Sequence, residues 1–260
     1  MFVPLMITSL RHLVLHLGVR ADLALTMALI LPASATTNEL AGQRLPLRQA
    51  APGRFELGMV VLDKNERTVS FPASVNQRVG VVEYAVVTTR GKTHESVFKT
   101  EAEPQRIHLA LLLLGAQPAN TNAFPEKLAS PIPGERVAVE VNRSSGGKEQ
   151  RRPLEDFVLT AQQLHTLSQG PWAYNGSWVN DGIFLAQRDG SIVSLHIDSD
   201  ALINNPRPGR EDDEFHHVNE PALPPEGVSV RITIKLLGKP APPTASAARP
   251  DEQPSPLRRP

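Results

Sequence analysis

The chain has 260 residues, 40% of them hydrophobic and 21% charged, the balance of a folded globular protein and not of a disordered or membrane-spanning one. Its 27 Lys and Arg offset its 27 Asp and Glu, so it lacks the positive excess on which nucleic-acid affinity rests, and no nucleic-acid partner is expected. Without cysteine there can be no disulfide, Cys-ligated zinc, iron–sulfur cluster or thiol catalysis; a metal would have to use His, carboxylate or backbone oxygen.

Arg11, His12 and Arg20 precede an apolar run, Leu23 to Leu31, that ends in Pro32 and the small residues Ala33-Ser34-Ala35. A positive segment, an apolar core and an A-x-A site are the parts of a secretory signal peptide. The run is too short to span a bilayer, which takes about 20 residues. Residues 1–35 are therefore read as a signal peptide and the protein as exported, periplasmic or secreted. Asp22 at the edge of the core and the apolar stretch Met1 to Val19 support the alternative, an uncleaved membrane anchor. Thr36 to Arg54 reads as a polar leader before a domain over residues 55–238.

Strand signals then dominate. Phe55 to Leu62 and Thr68 to Val75 flank the polar turn Asp63-Lys64-Asn65-Glu66 and predict a hairpin. Val79 to Thr88, apolar on both faces except at Glu83, predicts a central strand, which Arg90-Gly91 turns back into Lys92 to Phe98. Pro104 opens a helix that Gly115 closes after Leu114. Its run Leu109 to Leu114 has no polar face, which predicts a helix buried between layers. Val137 to Val141 reads as a strand after Pro133-Gly134.

Ile183 to Gln187 and Ser191 to Ile197 flank Arg188-Asp189-Gly190, and Asp-Gly is a strong hairpin signal. Ser199 or Asp200 would cap a short helix to Asn204. The last strand alternates, with Val228, Val230, Ile232 and Ile234 on the core side. The order admits a duplicated hairpin–helix–strand unit, with a cleft between the halves as the natural binding site. Lys239 to Pro260 is proline-rich with Leu257 as its one large apolar residue, and reads as a disordered tail.

Candidate site residues are few. In Lys92-Thr93-His94-Glu95-Ser96, strand alternation puts His94 and Ser96 on one side and Glu95 on the other, so the three cannot form a triad among themselves. His94 with Ser96 is half of a possible site, weighed against a hydrogen-bonded strand-edge histidine. His108, one turn into the helix, could join His94 and a carboxylate such as Glu83 or Glu95 around a metal, weighed against a satisfied core histidine. The acidic and histidine run Glu211 to His217 lacks the glycine-punctuated loop of a calcium site and reads as a solvated loop. Trp172, Tyr174 and Trp178 would form a stacking platform if exposed and a core plug if buried. The Asn-x-Ser sequences at Asn142 and Asn175 matter only in a host that glycosylates. No phosphate loop, dinucleotide fingerprint or G-x-S-x-G elbow is present, so no nucleotide partner is expected.

The hairpin ending in Gly91-Lys92-Thr93-His94-Glu95-Ser96, with Ile107-His108-Leu109-Ala110-Leu111-Leu112-Leu113-Leu114-Gly115-Ala116 after it, resembles the YdjY-like domain. Trp172 with Gly176-Ser177, the segment around Gly190 and the closing Pro225-Glu226-Gly227 strand are similar too, so the resemblance spans Phe55 to Leu237. It implies an exported bacterial protein, of a group that includes many from planctomycete-type bacteria, and no particular activity. A ferredoxin-like label sometimes given to the group does not fit a chain without cysteine. The sequence thus predicts a single strand-rich α+β domain with one buried and one short helix. Its function reads as a non-enzymatic extracytoplasmic binding or structural module for an envelope ligand or protein, with no cofactor. The rival reading is a metalloprotein or metal-dependent hydrolase using His94 and His108.

Overall fold

The computed structural model describes residues 47–119, 131–160 and 165–238. The signal peptide or anchor, the leader up to residue 46 and the proline-rich tail lie outside the described residues.

The chain opens with β1 (Leu47–Ala51), β2 (Arg54–Leu57), β3 (Val60–Asp63), β4 (Thr68–Val75), β5 (Tyr84–Thr88) and β6 (Ser96–Thr100). Helix α1 (Pro104–Leu113) precedes β7 (Glu135–Ser145), β8 (Lys148–Pro153) and β9 (Val158–Thr160). Next come β10 (Trp172–Tyr174), β11 (Val179–Asn180), β12 (Ile183–Phe184), α2 (Leu185–Asp189), β13 (Ser191–Ser194) and β14 (Ile203–Asn204). The last strands are β15 (His216–Val218) and β16 (Ser229–Leu236).

Several local expectations hold. β4 has the bounds its alternation gave, and the turn before it is set by Asp63, whose Oδ1 accepts the N–H groups of Asn65 and Glu66. α1 starts at Pro104, with the left-handed Gly115 just beyond its cap. In β16 the side chains of Val230, Ile232 and Ile234 are buried.

The α+β architecture does not hold. Eight strands close into a β-barrel in the order β4-β16-β7-β10-β14-β13-β5-β6, and β6 returns to β4 through Ser74↔Lys99 and Val75↔Phe98. β4 has room for three partners because β3 pairs only with its first residues, Thr68 to Ser70. The core is built from rows of in-register side chains: Val69–Ile234–Val139, Phe71–Ile232–Val141 and Leu236–Val137–Trp172. All nine are at most 4% exposed, so side chains fill the barrel. Helix α1 lies outside the ring against β3 and β4, burying Ile107, Ala110 and Leu111. Leu112 and Leu113 stay 39% and 43% exposed, so the helix is covered on one side and not sandwiched between layers.

Other expectations fail for local reasons. Phe55 to Leu62 is two strands, reversed by a tight turn at Gly58-Met59 between Leu57 and Val60. β5 and β6 are parallel, not a hairpin: the chain recrosses through a 3-10 turn at Thr93–Glu95. Asp189-Gly190 ends a helix, with Gly190 at φ 72° as the left-handed residue beyond α2. The Asp-Gly that does turn a hairpin is Asp181-Gly182, both at positive φ between β11 and β12, as a two-residue turn requires. The short helix to Asn204 is replaced by turns. Asp198 Oδ1 accepts Asp200 N–H, and the Asn204 amide brackets Asp198 by accepting its N–H and donating to its carbonyl.

The expected repeat of hairpin, helix and strand is absent. The ring nevertheless keeps the same neighbours and directions when β4, β5, β6 and β7 are exchanged with β10, β13, β14 and β16. Asn76 follows β4 and donates to the carbonyls of Thr93 and Ser96; Asn175 follows β10 and donates to that of Ala201. The exchange maps the β7–β16 pair onto itself, which places that pair at the junction of the two strand sets.

Candidate functional site

The residues singled out in the sequence are dispersed. His94 sits in the 3-10 turn with a side chain 79% exposed and a ring nitrogen 3.6 Å from Glu95, while Ser96 is buried in β6, its hydroxyl taken up by Asn76. The shared side expected for them needed a strand that the turn replaces. Alanine at His94 should leave stability within about 0.5 kcal/mol of the parent in a urea melt, since an exposed side chain with one weak contact holds little.

His108 is packed against Phe184, with ring centroids 5.1 Å apart, and its Nδ1 shares a 2.8 Å hydrogen bond with the Tyr174 hydroxyl. Burial pushes its pKa below the usual histidine value and that of Tyr174 above the usual phenol value. Tyr174→Phe should cost about 1 kcal/mol, the worth of one hydrogen bond between neutral groups, read from the same melt. Among the described residues no group of three or more His, Asp or Glu is placed to hold a metal ion.

Trp172 and Tyr174 are fully buried; Trp178 is 36% exposed and donates to Asp200 at 2.8 Å. The run Glu211 to His217 is partly structured, because β15 pairs with β9. His216 is buried against Asn205, and burial lowers its pKa to about 4. Asn142 and Asn175 are both buried, so neither Asn-x-Ser sequence presents an open acceptor.

Two clusters that the sequence did not flag hold the barrel together. Lys92 Nζ donates to the Tyr84 hydroxyl at 2.8 Å, and that hydroxyl donates to Asp198 at 3.0 Å. This ties the β5–β6 connection to the β13–β14 connection, and burial with the adjoining Asp198 raises the Tyr84 pKa. Deeper in, Glu155 Oε1 accepts from Arg207, from Trp172 Nε1 at 3.1 Å and from Gly170 N–H at 3.3 Å. Burial pushes the Glu155 carboxyl up and the Arg207 guanidinium down.

A polar groove lined by charged side chains lies on the outer face of β4, β16 and β7. Strand alternation puts Thr68 and Ser70, Arg231, Thr233 and Lys235, and Glu140 and Asn142 on the face opposite the core. β3 extends this sheet beyond β4, and β8 extends it beyond β7. The register then sets three rows across it: Arg54–Asp63–Thr68–Lys235, Val61–Ser70–Thr233–Glu140 and Arg231–Asn142–Arg151. Together with Glu66 and Glu149 these residues line a groove of about 390 Å³.

Four cations and four carboxylates face this groove, yet among the described residues the ion pair formed between them is Arg151 with Glu149, at 3.8 Å and well exposed. Such a pair holds its members weakly. On the floor Asn142 is only 7% exposed. Its Nδ2 lies 3.3 Å from Glu149 Oε1 and 3.5 Å from Thr233 Oγ1, while its Oδ1 has no partner. A carboxylate only accepts, so the amide nitrogen must face Glu149, and the carbonyl is the buried acceptor left without a partner. Leaving such a group unpaired costs about 1–3 kcal/mol. The polar alternation of β16 and of β4 was the available signal for this surface; that these strands lie side by side with β7 was not readable.

No curated protein and no solved structure matches the chain. A family model described as the YdjY domain matches residues 60–235. That span runs from the first residue of β3 to within one residue of the end of β16, so it takes in every strand of the closed ring and most of the groove. A match over most of the chain, coinciding with the barrel itself, shows that the protein belongs to the YdjY domain family.

Proposed function

We propose that the protein is a non-enzymatic binding module and that its ligand lies in the groove on β4, β16 and β7. The observation that carries this reading is the groove itself, where four cations and four carboxylates gather and, among the described residues, the ion pair formed between them is the exposed one of Arg151 with Glu149. A structural face would be expected to pair those charges, whereas a recognition face leaves them for a partner. The sequence pattern of residues 1–35 supports export, so the ligand is sought in the cell envelope, as a soluble component or a protein segment.

Ligands that bind the folded state raise the unfolding temperature by mass action. The full chain and a groove variant, Arg231→Gln with Glu140→Gln, are screened by thermal shift against peptides, oligosaccharides, nucleotides and inorganic ions. The reading expects at least one class to stabilise the parent and not the variant. Stabilisation of both to the same degree by every active compound would contradict it.

A further inference from the structure

We propose that β8 is the docking edge for a second copy of this chain. Two β8 strands pair antiparallel about a twofold axis at Gln150, and Glu149 of each stands opposite the partner's Arg151. This association is independent of the ligand that the groove takes.

The sheet that carries the groove ends at β1 on one side and at β8 on the other. An unpaired strand edge invites pairing with another chain, and proteins blunt such edges with bulges, prolines or charges. β1 is blunted: its pairing slips between Gln49 and Ala51, and Pro52 follows. β8 runs in register with β7 from Lys148 to Pro153 without a bulge, and among the described residues no strand pairs with its other side. Lys148 to Arg151 are exposed. Their charges would repel many strands, but they complement a copy of themselves.

The hairpin sets which backbone groups face out. Gly146 and Gly147 both have positive φ, so a two-residue turn joins β7 to β8, and the pair that flanks it, Ser145↔Lys148, exchanges both hydrogen bonds. Exchanging pairs alternate along the ladder, next at Arg143↔Gln150 and Val141↔Arg152. Pro153 then falls on a non-exchanging pair, where it has no N–H to lose. Glu149 and Arg151 therefore turn their N–H and C=O groups to the open side, while their side chains line the groove.

A second β8 must meet those positions with its own outward groups. Setting Glu149 opposite Glu149, or Arg151 opposite Arg151, brings like charges together, which destabilises a directly opposed pair. Setting Gln150 opposite itself places Glu149 across from the partner's Arg151, and each such pair exchanges both backbone hydrogen bonds. Within one chain the same two side chains reach each other only at 3.8 Å. On the other face Lys148 meets the partner's Arg152, but in each chain Asp156 already pairs with Arg152 at 3.0 Å, and its guanidinium lies 4.9 Å from the Phe157 ring centre. The sheet then runs unbroken through the axis and sets the two grooves side by side on one face.

The test is sedimentation of the full chain from about 1 µM to about 500 µM, the span of weak self-association, where a dimer is expected. Glu149→Arg and Arg151→Glu each put like charges across the axis and should weaken the dimer at least about tenfold. Mixed in equal amounts, these two variants should form a heterodimer, and the double reversal Glu149→Arg with Arg151→Glu should dimerise like the parent. Both positions are exposed, and the unfolding temperature at low concentration checks that every variant folds. A parent that stays monomeric at every concentration would overturn the proposal. So would a dimer indifferent to both single reversals, which would place the interface elsewhere. Loss of the dimer in the single variants without recovery in the mixture or in the double reversal would overturn the pairing of Glu149 with the partner's Arg151.

Discussion

Replacing Glu155 by Leu is expected to destabilise the fold by about 3–5 kcal/mol, the range for breaking a buried ion pair from one side. The partner left behind is Arg207, 8% exposed, donating also to Gly170 O at 2.6 Å and Asn205 Oδ1 at 3.2 Å and lying 4.8 Å from the Trp172 ring centre. A guanidinium cannot shed its proton in a protein, so its charge stays buried without a counter-ion. Arg207→Met is expected to cost less, because the stranded Glu155 carboxyl can take up a proton. Burial already raises its pKa, so the penalty of this variant should be small below the unfolded value of 4.5 and grow as pH rises through the folded one. Urea unfolding of both variants beside the parent, at pH 4.5 and pH 7, gives four differences. Equal costs at pH 7, or a cost of Arg207→Met independent of pH, would contradict this account of the pair.

Acid should weaken the fold chiefly through His216. Its Nε2 lies 3.3 Å from Asn205 Nδ2, and the orientation of that amide is fixed because Asn205 Oδ1 accepts the Arg207 N–H and Nη1. Nε2 must therefore accept, and protonating it sets two donors face to face in a site 1% exposed. With the folded pKa at about 4 against a usual 6.5, the unfolded chain binds more protons between those values. Stability is thus full above pH 6.5 and falls as pH drops toward 4, by about 3 kcal/mol in all at 1.36 kcal/mol per unit. A His216→Gln variant, less stable at pH 7, should show a flatter profile over this window. Subtracting its urea midpoints from those of the parent removes the opposite-signed contribution of Glu155, which is common to both. Parallel profiles would show that His216 is not the acid-sensitive group.

Much of the local structure is legible in the residues. The alternation of Thr68 to Val75 and of Val230 to Ile234 fixes two strands and their inner faces, and Pro104 with Gly115 fixes the ends of α1. Pairing is not legible, because it is settled far along the chain. Whether β4 closes a ring depends on Ser74 and Val75 meeting Phe98 and Lys99, a contact that no periodicity encodes. The same dipeptide has two fates: Asp181-Gly182 turns a hairpin and Asp189-Gly190 ends a helix, since Leu185 to Asp189 wind up against Ser177, whose hydroxyl accepts the Ala186 N–H.

The site shows the same division. Arg231, Thr233 and Lys235 could be assigned to the solvent face from β16 alone. That Asn142, Glu140 and Ser70 lie beside them follows only from the strand order β4-β16-β7. Conversely, His94 attracted attention as a strand residue, and its placement in a 3-10 turn removes the partner it was given in Ser96.

The groove itself is tested most directly by NMR titration of the full chain with the compounds that raise its unfolding temperature, following the side-chain amide of Asn142 and the Nε–H of Arg231 and Arg151. The account predicts that these signals move first and together, with the backbone amides of Thr233 and Ser70, and that the surroundings of His94 and Trp178 stay still. Shifts centred on His94 and Lys92, or on Trp178 and the β11–β12 turn, with the Asn142 amide unmoved, would contradict it.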